Sequence, residues 1–158
     1  MITGTELRVL RQNCGLTQED VAEYIGCGLR SVKRWEAGKS RIPQRVYYNL
    51  IRLRIRILTD ESALILSFVS ERTEPIALIL YDEEDVDLCG RQFDGNIPFN
   101  AFRYVVISTF NDLRRDGYSP RLVRFDRDDY FAFLDGREDT DYLRAKWAEI
   151  QITKDKAP

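Results

Sequence analysis

The stretch Leu16–Lys39 limits what this chain can fold into more than any other part of the sequence. Thr17 has the hydroxyl of a helix N-cap, and Asp20, three positions later, is the acidic partner of a capping pair. Apolar residues then recur at helical spacing as far as Ile25. The pattern predicts one short amphipathic helix over Gln18–Ile25.

A glycine-bearing turn follows this helix, and a second helix comes after the turn. Gly26-Cys27-Gly28 interrupts the helical pattern, because glycine loses the most backbone entropy in a helix and accepts a positive φ. The next helix is predicted to begin at Leu29 and to end at Gly38. Two short helices joined by such a turn are the unit of helix-turn-helix DNA-binding motifs.

Several positions of this stretch match the pattern of one family. They are Gly15-Leu16-Thr17-Gln18-Glu19, Ala22, Gly26 and Trp35-Glu36-Ala37-Gly38-Lys39. The stretch therefore resembles the Cro/CI-type helix-turn-helix of XRE-family regulators, and the resemblance covers about the first third of the chain. It implies a five-helix, lambda-repressor-like DNA-binding domain at the N-terminus.

Helical patterns flank the motif on both sides. Thr3-Gly4-Thr5 is predicted to cap a helix over Glu6–Cys14. Pro43 opens a later helix whose apolar stripe consists of Val46, Leu50, Leu53 and Ile57. Arginines alternate with apolar residues over 52–56, as in a strand, but the longer helical spacing favours a helix. Thr59–Ser62 is either a cap that restarts a helix or a polar stretch within one long helix.

The remainder of the chain is predicted to form an α/β domain. The apolar run Ile76–Tyr81 and the segment Arg121–Phe125 are typical of strands, and the helix Phe99–Arg115 between them implies a right-handed parallel crossover. Further expectations are a helix end near Thr73–Pro75, a short acidic helix after Asp82, a turn at Asp94–Asn96, and a helical region over 126–150 broken near Gly136. The predicted fold class is mainly α with a small β component, with domains at 1–58 and 59–158.

Cysteine and histidine content narrows the functional class. Cys14, Cys27 and Cys89 lack metal-ligand spacing, and the absence of histidine removes the commonest metal ligand and general base. No apolar run approaches ~20 residues, and the N-terminus lacks a charged-then-apolar signal pattern. We therefore expect a soluble cytoplasmic protein with no metal, no cofactor and no membrane association.

The net charge of −2 conceals an uneven distribution. Residues 1–58 carry 11 Lys and Arg against 5 Asp and Glu, a net charge of +6. Residues 59–158 carry 13 against 21, a net charge of −8. A basic N-terminal part beside an acidic remainder favours nucleic-acid binding by the first part alone.

The resemblance implies which residues contact double-stranded DNA. Base contacts are expected from the first turns of the second motif helix, at Leu29, Arg30, Ser31, Lys33 and Arg34. Arg30 and Arg34 are four positions apart and share a face, whereas Leu29 either touches a thymine methyl or packs in the core. Phosphate contacts are expected from Thr17, Gln18, Lys39, Ser40 and Arg41.

One ion pair is implied by the resemblance as a structural element. In the family, the arginine that matches Arg11 pairs with the glutamate that matches Glu36. The pair ties the first helix to the end of the second motif helix. Loss of one partner of such a pair destabilises a protein more than the intact pair stabilises it.

The order of elements also resembles that of anti-CRISPR-associated repressors and related small phage or prophage regulators. That resemblance implies a homodimer that represses its own operon by binding an inverted repeat. The predicted interface consists of apolar residues beyond those needed for one small core. They are Ile76, Leu78, Leu80, Phe99, Phe102, Val106, Phe110, Phe131 and Phe133.

Enzymatic function is not expected. The sequence has no glycine-rich phosphate loop or histidine-based triad, and its one Ala-Gly pair, Ala37-Gly38, lies inside the motif, so self-cleavage in a linker is excluded. The acidic clusters Asp82–Asp87 and Asp126–Asp129 fit helix starts, where carboxylates are favourable. An antitoxin-type protein, whose acidic second domain binds a toxin, another protein partner or a small ligand, stays open as the alternative.

Overall fold

The computed structural model describes residues 2–71, 76–89 and 97–154. It divides the chain into two compact units. The first unit contains the described residues of 1–61 together with those of 95–105, and the second contains the remainder. The domain boundary predicted at residue 58 did not anticipate that a later segment, 95–105, belongs to the first unit.

The N-terminal unit begins with three short helices. They are α1 over Gly4–Gln12, α2 over Gln18–Ile25 and α3 over Leu29–Glu36. Thr3 caps α1 and forms a capping box with Glu6, so this helix begins two residues before its predicted start. Thr17 and Asp20 form the predicted capping box at the start of α2. The capping box of α2 is local in sequence, which explains why the start of this helix can be inferred without the fold.

The fourth helix, α4, is continuous over Gln44–Glu71. Its predicted stripe, Val46, Leu50, Leu53 and Ile57, is buried in the core. The polar stretch at 59–62 does not restart the helix. The Thr59 hydroxyl instead donates to the carbonyl of Ile55 (2.9 Å), and Asp60 pairs with Arg56 one turn earlier (3.1 Å). Bonds to the preceding turn leave both side chains unable to cap a new helix.

The second unit is built around a small parallel sheet. Strand β1 over Ala77–Leu80 pairs with β2 over Arg121–Arg124, with Ala77 opposite Arg121. A 3₁₀ turn over Glu83–Asp85 and the short helix α5 over Val86–Cys89 follow β1. The remaining helices are α6 over Phe99–Arg115, α7 over Arg127–Leu134 and α8 over Asp141–Lys154. The predicted helix end near Thr73–Pro75 and the turn at Asp94–Asn96 lie outside the described residues.

These elements confirm a mainly α fold with a small β component. The parallel strand pairing and the break between α7 and α8 also agree with the sequence pattern. Helix α8 packs on the sheet, where Trp147 lies beside Phe125 and Tyr130. The indole of Trp147 donates to Asp129 (2.6 Å), which satisfies its one polar atom.

Acidic side chains at the carboxyl ends of the strands are paired with arginines. Asp82 accepts from Arg124 (2.6 Å), and Arg127 contacts Asp85 (2.8 Å) and Asp87 (2.6 Å). Within the described residues, no group of three or more potential metal ligands is suitably clustered. Asp82, Asp85 and Asp87 are thus neutralised by arginines of β2 and α7.

Burial corrects part of the predicted dimer interface. Four of its residues are at most 4% exposed: Ile76, Leu78, Phe102 and Val106. They are therefore part of the core of one chain and do not form a surplus surface, because an apolar side chain at this exposure presents almost no area to a partner. The others retain exposed area: Leu80, Phe99, Phe110, Phe131 and Phe133. Across the described ranges, no helix is long and apolar enough to span a membrane.

Candidate nucleic-acid interface

Helix α3 presents cationic side chains on its surface. Val32, Trp35 and Glu36 are buried, so this side of the helix is fixed against the core. Arg30, Lys33 and Arg34 are exposed, and none of them forms an ion pair within the described part of the chain. Leu29 and Ser31, also predicted to contact bases, are half-buried. The sequence thus places three unpaired cations on a helix whose opposite face is held in place.

The Arg11–Glu36 ion pair fixes the end of α3 to α1. Arg11 Nε lies 2.7 Å from Glu36 Oε1, and Arg11 Nη2 lies 3.2 Å from Glu36 Oε2. Arg11 Nη1 also donates to the carbonyl of Leu16 (2.6 Å), and Arg8 approaches Glu36 at 3.4 Å. Burial alone raises the pKa of Glu36, but the hydrogen bonds from Arg11 and Gln18 and the nearby positive charges lower it overall. The carboxylate is therefore held in its ionised form.

Gln18 contributes to this same cluster. Its side-chain Nε2 donates to Glu36 Oε2 (2.8 Å), a contact that no sequence pattern predicts. The side-chain amide of Gln18 therefore links α2 to the end of α3. The first backbone amides of α2 have no intrahelical acceptor, as at any helix start. A phosphate contact at Gln18 would thus use the backbone.

The start of α2 is held by a second carboxylate. Asp20 Oδ2 accepts from the backbone amide of Thr17 (2.6 Å) and from its hydroxyl (2.8 Å). The same oxygen accepts from Nδ2 of Asn100, eighty residues later in the chain (2.9 Å). Burial raises the pKa of Asp20, but the hydrogen bonds from Asn100 and Thr17 hold it below its ordinary value.

The loop after α3 carries the remaining predicted phosphate contacts. The amide of Lys39 donates to the carbonyl of Arg34 (2.9 Å), which fixes where the loop leaves the helix. Lys39 and Arg41 are exposed, Ser40 is half-buried, and Ile42 anchors the loop in the core. The structure thus presents Lys39 and Arg41 to solvent directly after the helix with unpaired arginines.

Two site residues were missed by sequence reasoning. Asn100 belongs to α6, far from the motif in sequence, and no local pattern marks it as a partner of Asp20. Tyr104, one turn later, lies against Gly15: a Cβ at Gly15 would come within 2.4 Å of Tyr104 Cβ. The glycine at position 15 was the one sequence signal for this close contact. A glycine is common at the end of a helix whether or not another side chain packs against it, so the signal was not specific.

Comparison with known proteins agrees with this geometry. Residues 3–53 match the family model described as a helix-turn-helix domain. The N-terminal part of this chain is a helix-turn-helix domain. The match covers about the first third of the sequence and supports DNA binding by this part of the chain. No curated protein matches the chain.

Proposed function

We propose that this protein is a dimeric, sequence-specific transcriptional repressor that binds an inverted repeat in DNA. The observation that carries the proposal is the pair of exposed arginines on α3, Arg30 and Arg34, neither of which is ion-paired within the described residues. They lie in a helix-turn-helix domain, where the second motif helix enters the major groove. A cation that is not neutralised by its own protein is available to DNA.

Direct base contacts come from α3. Arg30 and Arg34 donate to guanine O6 and N7, the commonest specific contact in the major groove. Lys33 and Ser31 supply further hydrogen bonds, and the half-buried Leu29 contacts a thymine methyl at the edge of its packing site.

Phosphate contacts flank the recognition helix. The unpaired backbone amides at the start of α2, beside Thr17 and Gln18, bind one phosphate, since a helix N-terminus favours an anion. Lys39, Ser40 and Arg41 bind a second. These contacts supply affinity and register, and they carry no direct sequence information.

Dimerisation supplies the remaining affinity. A single DNA-binding module buries roughly 600–1,000 Å², at the low end for a specific complex. A two-fold dimer contacts two half-sites about one helical turn apart, so the operator is an inverted repeat. Phe131, which is 47% exposed, is the most exposed of the predicted interface residues. By its resemblance to anti-CRISPR-associated repressors, the protein represses its own operon.

A matched pair of variants tests the role of α3. Arg34→Ala should weaken binding to the specific site by about 1–3 kcal/mol while the fold stays intact. Arg121→Ala removes an equally charged, exposed side chain from β2 in the second unit and should leave affinity unchanged. Fluorescence anisotropy with operator DNA measures both. Full affinity in Arg34→Ala, or an equal loss in both variants, would contradict base contact by α3.

A further inference from the structure

Helix α6 supplies a segment to the first unit, outside the 3–53 family match. The described residues of 95–105 belong to the same compact unit as those of 1–61, and Ala101 and Val105 are fully buried. Tyr104 lies against Gly15, and the guanidinium of Arg54 on α4 lies 5.9 Å from the centre of the Tyr104 ring. These contacts fix where the first turns of α6 sit within this unit.

Asn100 is thereby held within reach of the start of α2. Its Nδ2 lies 2.9 Å from Asp20 Oδ2, the oxygen that also accepts the two hydrogen bonds from Thr17. Asp20 is the third residue of α2, and its own amide donates to the Thr17 hydroxyl (3.1 Å). One carboxylate oxygen therefore joins the cap of α2 to a side chain of α6.

We propose that Asn100 is a positioning residue for DNA binding, which orients the start of α2 toward the phosphate through Asp20. This inference rests on the proposed function, because it concerns how the same surface binds DNA. Asn100 does not itself touch the nucleic acid. It fixes the Asp20 carboxylate on the cap, so that the first amides of α2 keep their direction and the carboxylate does not turn toward an incoming phosphate.

The negative charge of Asp20 makes its hydrogen bonds important for phosphate binding at the start of α2. A carboxylate beside a phosphate site repels the ligand unless hydrogen bonds compensate its charge. Thr17 supplies two such bonds from within the cap, and Asn100 supplies the third from outside it. Without Asn100, the Asp20 carboxylate still accepts the two hydrogen bonds from Thr17, but it loses the bond from α6 that restrains its orientation.

Substitution at position 100 tests the proposal, with position 111 as a matched control on the same helix. Asn111 is exposed, so Asn111→Ala and Asn111→Asp make the same chemical changes away from Asp20. Asn100→Ala should weaken DNA binding about 3- to 10-fold, the effect of one hydrogen bond. Asn100→Asp should weaken it further, because a second carboxylate then faces Asp20.

Affinity and thermal stability together distinguish positioning from a purely structural role. The phosphate contact at the start of α2 is made by uncharged backbone amides, so its loss weakens binding to specific and non-specific DNA alike and leaves the slope of log K against log salt close to that of the parent, because that slope counts phosphates neutralised by Lys and Arg. Partial unfolding instead lowers the melting temperature and the fraction of protein that binds at saturating DNA. The full-length variants are therefore titrated with operator and random duplexes at several salt concentrations, and thermal melts are recorded alongside.

A measurement without DNA separates this inference from the proposed function. NMR titration of the Asp20 carboxyl should show a higher pKa in Asn100→Ala than in Asn111→Ala, because a bond to the ionised form has been removed. An unchanged Asp20 pKa in Asn100→Ala, or an unchanged DNA affinity of Asn100→Ala when the parent binds DNA, would overturn the role of Asn100. A parent that binds no DNA while the Asp20 pKa shifts as expected would overturn the proposed function, and the positioning role with it.

Discussion

The Arg11 guanidinium donates through Nε and Nη2 to the two carboxylate oxygens of Glu36, at 2.7 and 3.2 Å. The Glu36 side chain is 1% exposed and that of Arg11 is 12% exposed. Because the pair joins α1 to the end of α3, it fixes the helix that carries Arg30 and Arg34. Burial of a charged side chain is tolerated when the charge is paired and hydrogen-bonded, as here, whereas burial of a single unpaired charge is strongly unfavourable.

Glu36→Gln should destabilise the protein strongly. The substitution keeps the shape of the side chain but leaves the Arg11 charge without its counter-charge, at a cost of about 3 kcal/mol. Glu23→Gln makes the same change at an exposed position of α2 and should have little effect. Urea unfolding followed by circular dichroism measures the free energy of unfolding of both variants. Equal stability in the two variants would show that the ion pair is dispensable.

The stability difference between Glu36→Gln and the parent should depend on pH. The pKa of Glu36 in the folded protein lies below its ordinary value of 4.5, so its stabilising contribution is complete above pH 4.5. That contribution is lost as the pH falls through the folded-state pKa, because Glu36 then becomes neutral like glutamine. Unfolding curves recorded from neutral pH downward should therefore converge. A constant difference at all pH values would contradict the assignment.

Gly15→Ala should be more damaging than Gly26→Ala. Both glycines have a φ of +70°, so both substitutions incur the same backbone strain of about 1–2 kcal/mol. A Cβ at Gly26 meets nothing within 4 Å, whereas one at Gly15 meets Tyr104 Cβ at 2.4 Å. Gly15→Ala should therefore cost about 1 kcal/mol more, since the first turns of α6 must move. Equal melting temperatures would mean that α6 does not pack at Gly15.

Local chemistry made most of the helix-turn-helix predictable. Thr17 and Asp20 are three positions apart, and Gly26 takes the positive φ that ends α2, so the sequence alone locates both ends of that helix. At the candidate site, the exposure of Arg30 and Arg34 follows from the burial of Trp35 on the same helix. Each of these inferences depends on residues within one or two turns.

Contacts between distant residues were not predictable. Asn100 bonds to Asp20, and Gln18 bonds to Glu36, although neither pair is marked by any periodicity. Position 60 looked like part of a cap, but its pairing with Arg56 keeps it within α4. Val106 looked like surplus apolar surface, yet it is buried within one chain. Which apolar residues are left over depends on the completed packing, and a sequence pattern does not contain that information.

Phe131→Ser should convert the proposed dimer to a monomer. An aromatic side chain that is 47% exposed can anchor a partner surface, and its loss removes apolar area from the proposed interface. Tyr142→Ser removes a more exposed aromatic ring, at 68%, from a residue outside the predicted interface. Light scattering should give about twice the chain mass for the parent and for Tyr142→Ser, and the monomer mass for Phe131→Ser. A monomeric parent at micromolar concentration would overturn the dimer.

Footprinting on the DNA upstream of the protein's own gene tests the central claim most directly. A repressor that uses α3 from each of two subunits should protect two inverted half-sites whose centres lie about one helical turn apart. The double variant Arg30→Ala, Arg34→Ala should lose this protection while retaining the parent's circular dichroism spectrum, and Arg121→Ala should keep it. Absence of protection with the parent, or the same footprint with the double variant, would contradict the account.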